Sequence, residues 1–475
     1  MNTQINIFEV LYPKYKIEKP IRLIEFFAGY GSQALALKYL DVNFQHWRIC
    51  EWAIKSIQAY KDIHFTDYNF DYSKQFTEKE IKAFLYKKGI SSNYNEPMSE
   101  EQIKRLNEKN ARIIFNNIFT TNNLVNIQQI KGDDLGIVDK EKYDYIMTYS
   151  FPCQDLSVAG KGKGMSDTST RSGMIWEVER ILTECKKLDS LPQILLMENV
   201  PAIHDTNNVT NFNKWKLRLS QLGYKNYFQD LIATDYGIPQ TRNRCFMISI
   251  LGDYSYTFPK SIPLKLKLKD LLEEEVDEKY YLSDKQIKDI QNWNSYEKPL
   301  DNMEKIENSN ISPTLTTRTS AYSSSIILVK NVSKRKEISN ELIKNNKVKE
   351  NDVLLTNFIS RRIKENDFVK GNNISLTLDT SCDNLAVVNN LRIRKLTPKE
   401  CFRLMGVKDE DFENCKKNQS NASLYHLAGD SICTNVLMAL FSQLLDISWE
   451  DKLWNIKNFT KEVMSNDLWD NFKQF

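Results

Sequence analysis

The sequence feature that most constrains the fold is the stretch around Cys153. An apolar, β-prone run over residues 143–149 leads into Ser150-Phe151-Pro152-Cys153-Gln154 and then into a glycine-rich segment, 160–164. This order predicts a buried strand, a sharp turn and a loop. Pro152 cannot continue a central strand, so Cys153 is expected at the carboxyl end of that strand, where open α/β sheets bind ligands. The alternative is a small residue that fills a gap in the core.

A second strand-to-turn boundary lies near the start of the chain. Residues 21–27 predict a buried strand, followed by Ala28-Gly29-Tyr30-Gly31-Ser32 and a helix over 33–40. Two glycines let the backbone approach a ligand closely, and the helix N-terminus favours an anionic group. The pattern indicates a nucleotide-type site, although the glycine spacing is not GxGxxG.

Acidic residues follow this turn at informative distances. Residues 47–50 predict a second strand that ends at Glu51 and Trp52. A carboxylate about 20 positions after a glycine turn commonly holds ribose hydroxyls, and the adjacent tryptophan could stack on a purine. Further along, Asp133 could contact an adenine amino group or lie in a solvated turn.

Two more stretches carry charged groups beside apolar strands. Residues 193–197 predict a strand that ends at Glu198, where a carboxylate costs desolvation energy unless it has a function or an ion-pair partner. Arg242 and Arg244 come just before the apolar run 245–251 and alternate on one strand with it, so they are expected to face the same side and to bind a phosphate or a base carbonyl.

Composition sets wider bounds. The 475 residues allow about two to three domains, and a net charge of +3 does not by itself indicate nucleic acid. The eight cysteines form no CxxC pair and no zinc spacing, which indicates a reducing compartment. No secretory signal or membrane helix is visible, so we expect a soluble, cytoplasmic protein.

The remaining chain divides into an insertion, a variable region and two late helices. Residues 66–130 are polar and predict helices over 78–88 and 100–112. The region 255–390 loses periodicity and predicts a separate, mostly β domain; within it, residues 311–370 hold twelve Lys or Arg and six Asp or Glu. That excess suits a phosphate-facing surface or a solvated face.

The late helices have clear start signals. Thr397 is a predicted N-cap, with Pro398 at the first helical position and Glu400 at the capping-box site of a helix that ends at Gly406. The stretch 428–432 is predicted to open an apolar helix that reaches residue 445.

Together these stretches resemble the cytosine-carbon-5 DNA methyltransferases of bacteria and phages. The similarity runs from about residue 21 to 446, and the stretch around Cys153 especially resembles the mollicute CG methyltransferases. Six stretches match the motifs of that family in the family's order: Phe27-Ala28-Gly29-Tyr30-Gly31, Pro152-Cys153-Gln154, Glu198-Asn199-Val200, Gln240-Thr241-Arg242-Asn243-Arg244, Arg394–Glu400 and Gly429-Asp430-Ser431. The last departs from the family's usual Gly-Asn-Ser at Asp430.

The resemblance implies an α/β fold: a doubly wound, Rossmann-like methyltransferase domain with a smaller, mostly β target-recognition domain. The large domain would span 1–275 and 416–475, and the small domain 276–415. It also implies S-adenosylmethionine as cofactor and double-stranded DNA as substrate, in a restriction-modification system with a cognate endonuclease or as a phage or orphan enzyme. We expect a monomer without bound metal.

The resemblance also assigns roles to individual residues. Cys153 would attack carbon 6 of a flipped cytosine and Glu198 would protonate its N3, assisted by Arg242, Arg244 and Asn199. The cofactor would contact Phe27, Ala28, Gly29, Gly31, Glu51, Trp52, Asp133, Pro152, Asp430 and Ser431. DNA would contact Gln154, Ser157, Lys334, Arg335 and the pair Thr314-Leu315 or Thr377-Leu378, between which the sequence does not decide.

Three alternatives remain open on sequence alone. A similar enzyme could methylate tRNA, although the variable region of about 130 residues favours a DNA-reading module. A nicotinamide-dependent oxidoreductase would use the glycine turn and Glu51 but would leave Cys153 and Glu198 without a role. A catalytically idle DNA-binding protein is suggested by Asp430.

Overall fold

A six-stranded mixed sheet organises the described part of the chain. The computed structural model describes residues 12–152, 172–281, 283, 353–355, 385–389 and 392–453. The strand order is β2-β1-β3-β4-β6-β5, with β1–β4 parallel and β6 antiparallel to both its neighbours. The strands are β1 Ile21–Phe26, β2 Phe44–Cys50, β3 Asp144–Tyr149, β4 Ile194–Asn199, β5 Tyr224–Ile232 and β6 Asn243–Leu251. The predicted α/β class is confirmed.

The central strands are apolar along their length because helices cover both faces of the sheet. Every residue of β1, β3 and β4 is buried. Along β1, Leu23 enters a core with α1 and α11, whereas Ile24 enters the core on the opposite face with α6 and α7. The helices are α1 Ser32–Tyr39, α2 Ile54–His64, α3 Glu78–Lys88, α4 Glu100–Lys104, α5 Glu108–Thr120, α6 Ile175–Lys187, α7 Val209–Leu222, α8 Pro398–Leu404, α9 Asp409–Lys416, α10 Asn421–Asp430 and α11 Thr434–Leu445.

The insertion after α2 is helical, as predicted. Helix α3 has the predicted bounds, whereas the helix predicted over 100–112 is two helices, α4 and α5. Each has its own N-cap, Ser99 with a capping box to Gln102 and Asn107 to the Asn110 N–H, so the chain restarts a helix instead of extending one. A separate apolar cluster joins the insertion to Ile57 of α2.

The segment 396–415 packs on the sheet core. The predicted capping box is present: the Thr397 hydroxyl accepts from the Glu400 N–H at 3.2 Å, and the Glu400 carboxylate accepts from the Thr397 N–H at 2.7 Å. Helix α8 ends at Leu404, and residues 396–415 share one core with α1 and α11. The predicted division into domains at 415–416 therefore lies within this shared core, and the division stays a prediction.

The stretch Gly429-Asp430-Ser431, which matches the tenth motif of the family, forms a break between two helices, so the prediction that it opens one apolar helix is wrong. Gly429 and Asp430 are the last residues of α10, and α11 begins at Thr434. Ser431 between them has extended backbone angles, φ −82° and ψ 172°, which a continuous helix cannot contain.

The described residues of the variable region include two short 3-10 turns, Leu268–Leu271 and Glu278–Tyr280, and two strands. Strands β7 Val353–Leu355, β8 Leu385–Asn389 and β9 Arg392–Lys395 make an antiparallel sheet, and β8 covers the strand predicted at 385–388. The strand predicted at 325–329 lies outside the described residues. Within the described helices, none combines the length and apolar character needed to cross a membrane.

Candidate active site

The predicted site residues converge at one edge of the sheet. The strands β1 to β4 end there, and because β6 is antiparallel to β4 it begins there: Asn199 at the end of β4 pairs with Cys245 near the start of β6. This edge therefore brings together the glycine turn, Glu51, the chain entering the Cys153 stretch, Glu198 and Arg244. It is the edge at which open α/β sheets bind ligands.

The two glycines of the first turn have different roles. Both have positive φ, 54° at Gly29 and 84° at Gly31. A Cβ on Gly31 would lie 2.6 Å from the ring of Tyr60, so that position must be glycine for packing. A Cβ on Gly29 would meet no atom within 4 Å, so its backbone borders open space. Phe27, with φ 57°, and buried Ala28 lead into this turn.

Glu51 is fixed to the glycine turn. Its Oε2 accepts from the Gly29 N–H at 3.0 Å and its Oε1 accepts from the Ala53 N–H at 2.8 Å. Burial raises the pKa of Glu51 to about 7 against the effect of these two hydrogen bonds, and the negative charge of Asp430 adds to the rise. Each oxygen retains acceptor capacity for a ligand hydroxyl.

The other two predicted adenine contacts have different settings. Trp52 is half-buried and packs against the apolar cluster of the insertion. Asp133 is exposed in the short 3-10 turn Gly132–Leu135, and its charge acts on Cys185 of α6. Their contacts with an adenine stay predictions.

A buried ion pair occupies the end of β4. Glu198 Oε1 lies 3.2 Å from Arg244 Nε, with side-chain exposures of 10% and 14%. Burial raises the pKa of Glu198, while Arg244 and then Arg242 oppose that rise. The carboxyl thus binds a proton more readily than a solvated glutamate does, although a cation lies beside it.

Asn199 ties β4 to the chain that leads to Cys153. Its Nδ2 donates to the Phe151 carbonyl at 3.0 Å, and its Oδ1 accepts from the Val200 N–H at 2.8 Å. Pro152 is the last described residue before the gap. The other predicted residues of this stretch and of the DNA surface lie outside the described residues: Cys153, Gln154, Ser157, Thr314, Leu315, Lys334, Arg335, Thr377 and Leu378.

Arg242 differs from its prediction, which placed it with Arg244 on one strand. Strand β6 begins at Asn243, and Arg242 precedes it. Its Nη2 donates to the carbonyls of Gly429 at 3.1 Å and Ser431 at 2.7 Å. Arg242 therefore fixes the tenth-motif turn, while Arg244 contacts the carboxylate.

Sequence reasoning missed two groups of the site. The hydroxyl of buried Tyr30 donates to Ser431 Oγ at 2.8 Å and so joins the first motif to the tenth; its place between two glycines was the available signal. Beneath the same turn, the buried Glu25 carboxylate accepts from the Tyr60 hydroxyl at 2.5 Å and from the Ala34 N–H at 3.2 Å. Burial raises the pKa of Glu25 to about 7.

Comparison with known proteins identifies the class. The profile described as "C-5 cytosine-specific DNA methylase" matches residues 81–446. Type II methyltransferase M2.ScrFI of Lactococcus lactis subsp. cremoris is 32% identical over 430 residues, 89% of this chain and 99% of that protein. Orphan methyltransferase M.SssI of Spiroplasma monobiae is 38% identical over 267 residues, 56% of this chain and 68% of that protein.

A crystal structure of a Spodoptera frugiperda DNMT2 mutant has a TM-score of 0.50 at 17% identity, covering 89% of this chain and 99% of that one, and supports the fold alone. The chain belongs to the C-5 cytosine-specific DNA methylase family and is a DNA (cytosine-5)-methyltransferase. The family predicted from the sequence is confirmed.

Proposed function

We propose that the protein methylates carbon 5 of a flipped cytosine in a specific double-stranded DNA sequence through a covalent Cys153 adduct. The observation that supports this best is the buried ion pair of Glu198 with Arg244, since Asn199, the next residue on β4, holds the Phe151 carbonyl two residues before Cys153. This arrangement sets an acid beside the chain that carries the nucleophile. Flipping the base costs a few kcal/mol of unstacking.

The proposed chemistry assigns one step to each group. The Cys153 thiolate forms a bond to carbon 6, and Glu198 donates a proton to N3, so the ring becomes an enamine that is nucleophilic at carbon 5. Carbon 5 would take the methyl group, and the cofactor would be left as a neutral thioether. A base then removes the carbon 5 proton, the electron pair expels the thiolate, and the N3 proton returns to Glu198. The raised pKa of Glu198 favours the protonated carboxyl that donates the proton, and Arg244 is proposed to orient the carboxyl and to bind the base carbonyl.

The residues at the glycine turn fit S-adenosylmethionine, which supplies the methyl group. The open space above Gly29 admits a ligand beside the backbone, and Glu51 is positioned to accept hydrogen bonds from ribose hydroxyls. Trp52 and Asp133 are proposed to bind the adenine, with Phe27, Ala28, Gly31, Pro152, Asp430 and Ser431 completing the site.

Sequence recognition is proposed to lie in residues 255–390, outside the chemistry at the sheet edge. Lys334 and Arg335 would anchor phosphates, with Gln154, Ser157 and one of the two Thr-Leu pairs at the bases. A monomer is proposed, with a cognate endonuclease or as an orphan or phage enzyme. The cytoplasmic location stays a prediction.

Replacing the nucleophile tests this proposal. Cys153→Ser is expected to lower transfer of a labelled methyl group to unmethylated plasmid DNA by several orders of magnitude, since a serine hydroxyl is not ionised at neutral pH. The matched control is Cys185→Ser, a buried cysteine on α6 whose sulfur contacts the Gly132 carbonyl. The control should retain turnover; turnover near wild type in Cys153→Ser would refute the proposal.

A further inference from the structure

Three side chains with different ligand atoms meet where β5 and β6 pair. His204 Nε2 lies 2.9 Å from Asp230 Oδ1 and 3.1 Å from Asp230 Oδ2. The Cys245 sulfur is the third member, and the three ligand atoms all lie within 4.8 Å of one another. The side chains of His204 and Asp230 are 32% and 30% exposed, whereas Cys245 is buried. The cluster is thus open to solvent on one side and anchored in the core on the other.

Strand register and aromatic packing hold this cluster together. Asp230 and Cys245 lie directly opposite each other in the antiparallel pairing of β5 with β6, so their side chains project from the same face of the sheet. His204 is the last residue of the 3-10 turn that follows β4. Its ring lies beside those of Phe212 and Phe228, with centroids 6.2 and 5.8 Å away. The imidazole is therefore held beside the strand pair by packing that needs no ion.

The ligand set has a definite chemical preference. One imidazole nitrogen, one carboxylate oxygen and one cysteine sulfur are all ligands of Zn²⁺, and three protein ligands leave the fourth tetrahedral position to water. With zinc–ligand bonds of about 2.0–2.3 Å, the ligand atoms of a tetrahedral site lie about 3.3–3.8 Å apart. Small side-chain movements therefore suffice to close this cluster on an ion. Mg²⁺ and Ca²⁺ prefer oxygen ligands, of which the cluster offers one carboxylate.

We propose that His204, Asp230 and Cys245 bind one Zn²⁺ ion. The imidazole nitrogen, a carboxylate oxygen and the sulfur each form a bond to the ion, and the thiol proton of Cys245 passes to solvent. The ion joins the turn after β4 to β6 and to β5, which is the last strand in the order of the sheet. Cysteine spacing could not indicate this site, because the site contains a single cysteine.

The site lies across the sheet from the catalytic ion pair. Cys245 is in register with Asn199 of β4, whose Nδ2 donates to the Phe151 carbonyl. Arg244 precedes Cys245 on β6, so it faces the opposite side, where it pairs with Glu198. Bound zinc would thus stabilise the strand ends that support the active site without contacting the substrate.

Metal binding to the full chain tests the proposal. After treatment with a chelator, the wild type dialysed against Zn²⁺ is expected to retain one ion per chain by elemental mass spectrometry. His204→Gln, Asp230→Asn and Cys245→Ser should each weaken binding by more than the about 10–100-fold that loss of an outer-shell partner costs. Co²⁺ in place of Zn²⁺ should give a sulfur-to-cobalt charge-transfer absorption in the wild type and none in Cys245→Ser.

Matched controls separate this site from other thiols, since the chain has eight cysteines. Cys153→Ser removes the proposed nucleophile and Cys185→Ser removes a buried cysteine of α6, and both should retain the ion with wild-type affinity. Zinc should raise the Tm of the wild type and of both controls, because it binds the folded chain, but not that of the three cluster variants. His204 and Asp230 are partly exposed, so their variants remain informative even if Cys245→Ser does not fold.

Two results would overturn the proposal. If the wild type retains no zinc, His204 and Asp230 form an ion pair only. If the three cluster variants retain zinc and Cys153→Ser loses it, the ion binds the nucleophile instead. Neither result affects the proposed methyl transfer, which the turnover of Cys153→Ser tests separately.

Discussion

Glu51 and Glu198 lie at the same edge of the sheet, follow or end parallel strands, and have raised pKa values through burial, yet their partners differ. Glu51 accepts from two backbone N–H groups, whereas Glu198 faces the Arg244 guanidinium. Backbone dipoles fix the orientation of a carboxylate that remains available to hydroxyl groups. The Arg244 guanidinium can stay beside the Glu198 carboxyl whether that carboxyl is protonated or ionised. The contrast agrees with the proposed roles, in which Glu51 binds the cofactor and Glu198 transfers a proton.

The largest effect should come from the proton-transfer half. Glu198→Gln keeps the shape but cannot donate a carboxyl proton, so we expect turnover to fall by about 10²–10⁴-fold. The affinity for S-adenosylmethionine should stay within a few-fold of wild type. Labelled methyl transfer and calorimetry measure the two quantities. Turnover close to wild type in Glu198→Gln would show that Glu198 is not the proton donor.

A substitution of Glu51 should weaken cofactor binding more than it lowers turnover. Glu51→Ala removes an acceptor for the ribose hydroxyls, and we expect cofactor binding to weaken by about 1–3 kcal/mol, as for a lost hydrogen bond to a charged group. Turnover at saturating cofactor should change much less than in Glu198→Gln. Unchanged affinity in calorimetry would show that Glu51 does not bind the cofactor.

A smaller effect concerns pH. Ribose hydroxyls bind the ionised form of Glu51 better, and its pKa is about 7, so affinity should fall as the pH drops from 8 to 6. For one group the loss is at most about tenfold over that range. Glu51→Gln should bind with a flatter pH profile. A wild-type affinity that rises towards pH 6 would contradict the assignment.

The sequence predicted the sheet edge because its strands are long apolar runs that end at polar or glycine positions. It also predicted α3 and the Thr397 capping box, which depend on local residues alone. The prediction of one helix through Asp430 was wrong because the residues on both sides of the turn are apolar and resemble a single helix. The structure shows that Ser431 between them has extended backbone angles. The sequence could not predict the hydrogen bond of Tyr30 to Ser431 or the stacking of the Tyr94 ring on the His426 ring, since the residues of each pair are more than 300 positions apart.

Arg242 illustrates a further limit. Alternation with Arg244 predicted that both side chains lie on one strand, but only the chain path shows that β6 begins between them. Arg242 therefore binds the backbone carbonyls of Gly429 and Ser431, whereas Arg244 pairs with the Glu198 carboxylate.

The most direct measurement of the central claim is mapping of the covalent adduct. DNA in which 5-fluorocytosine replaces cytosine should trap the enzyme in the presence of S-adenosylmethionine, because fluorine at carbon 5 cannot leave as a proton. Mass spectrometry of the digested complex is expected to find the modified base on the peptide that contains Cys153, and no adduct in Cys153→Ser. An adduct on another residue, or methylation of ordinary DNA without any trapped complex, would contradict the account.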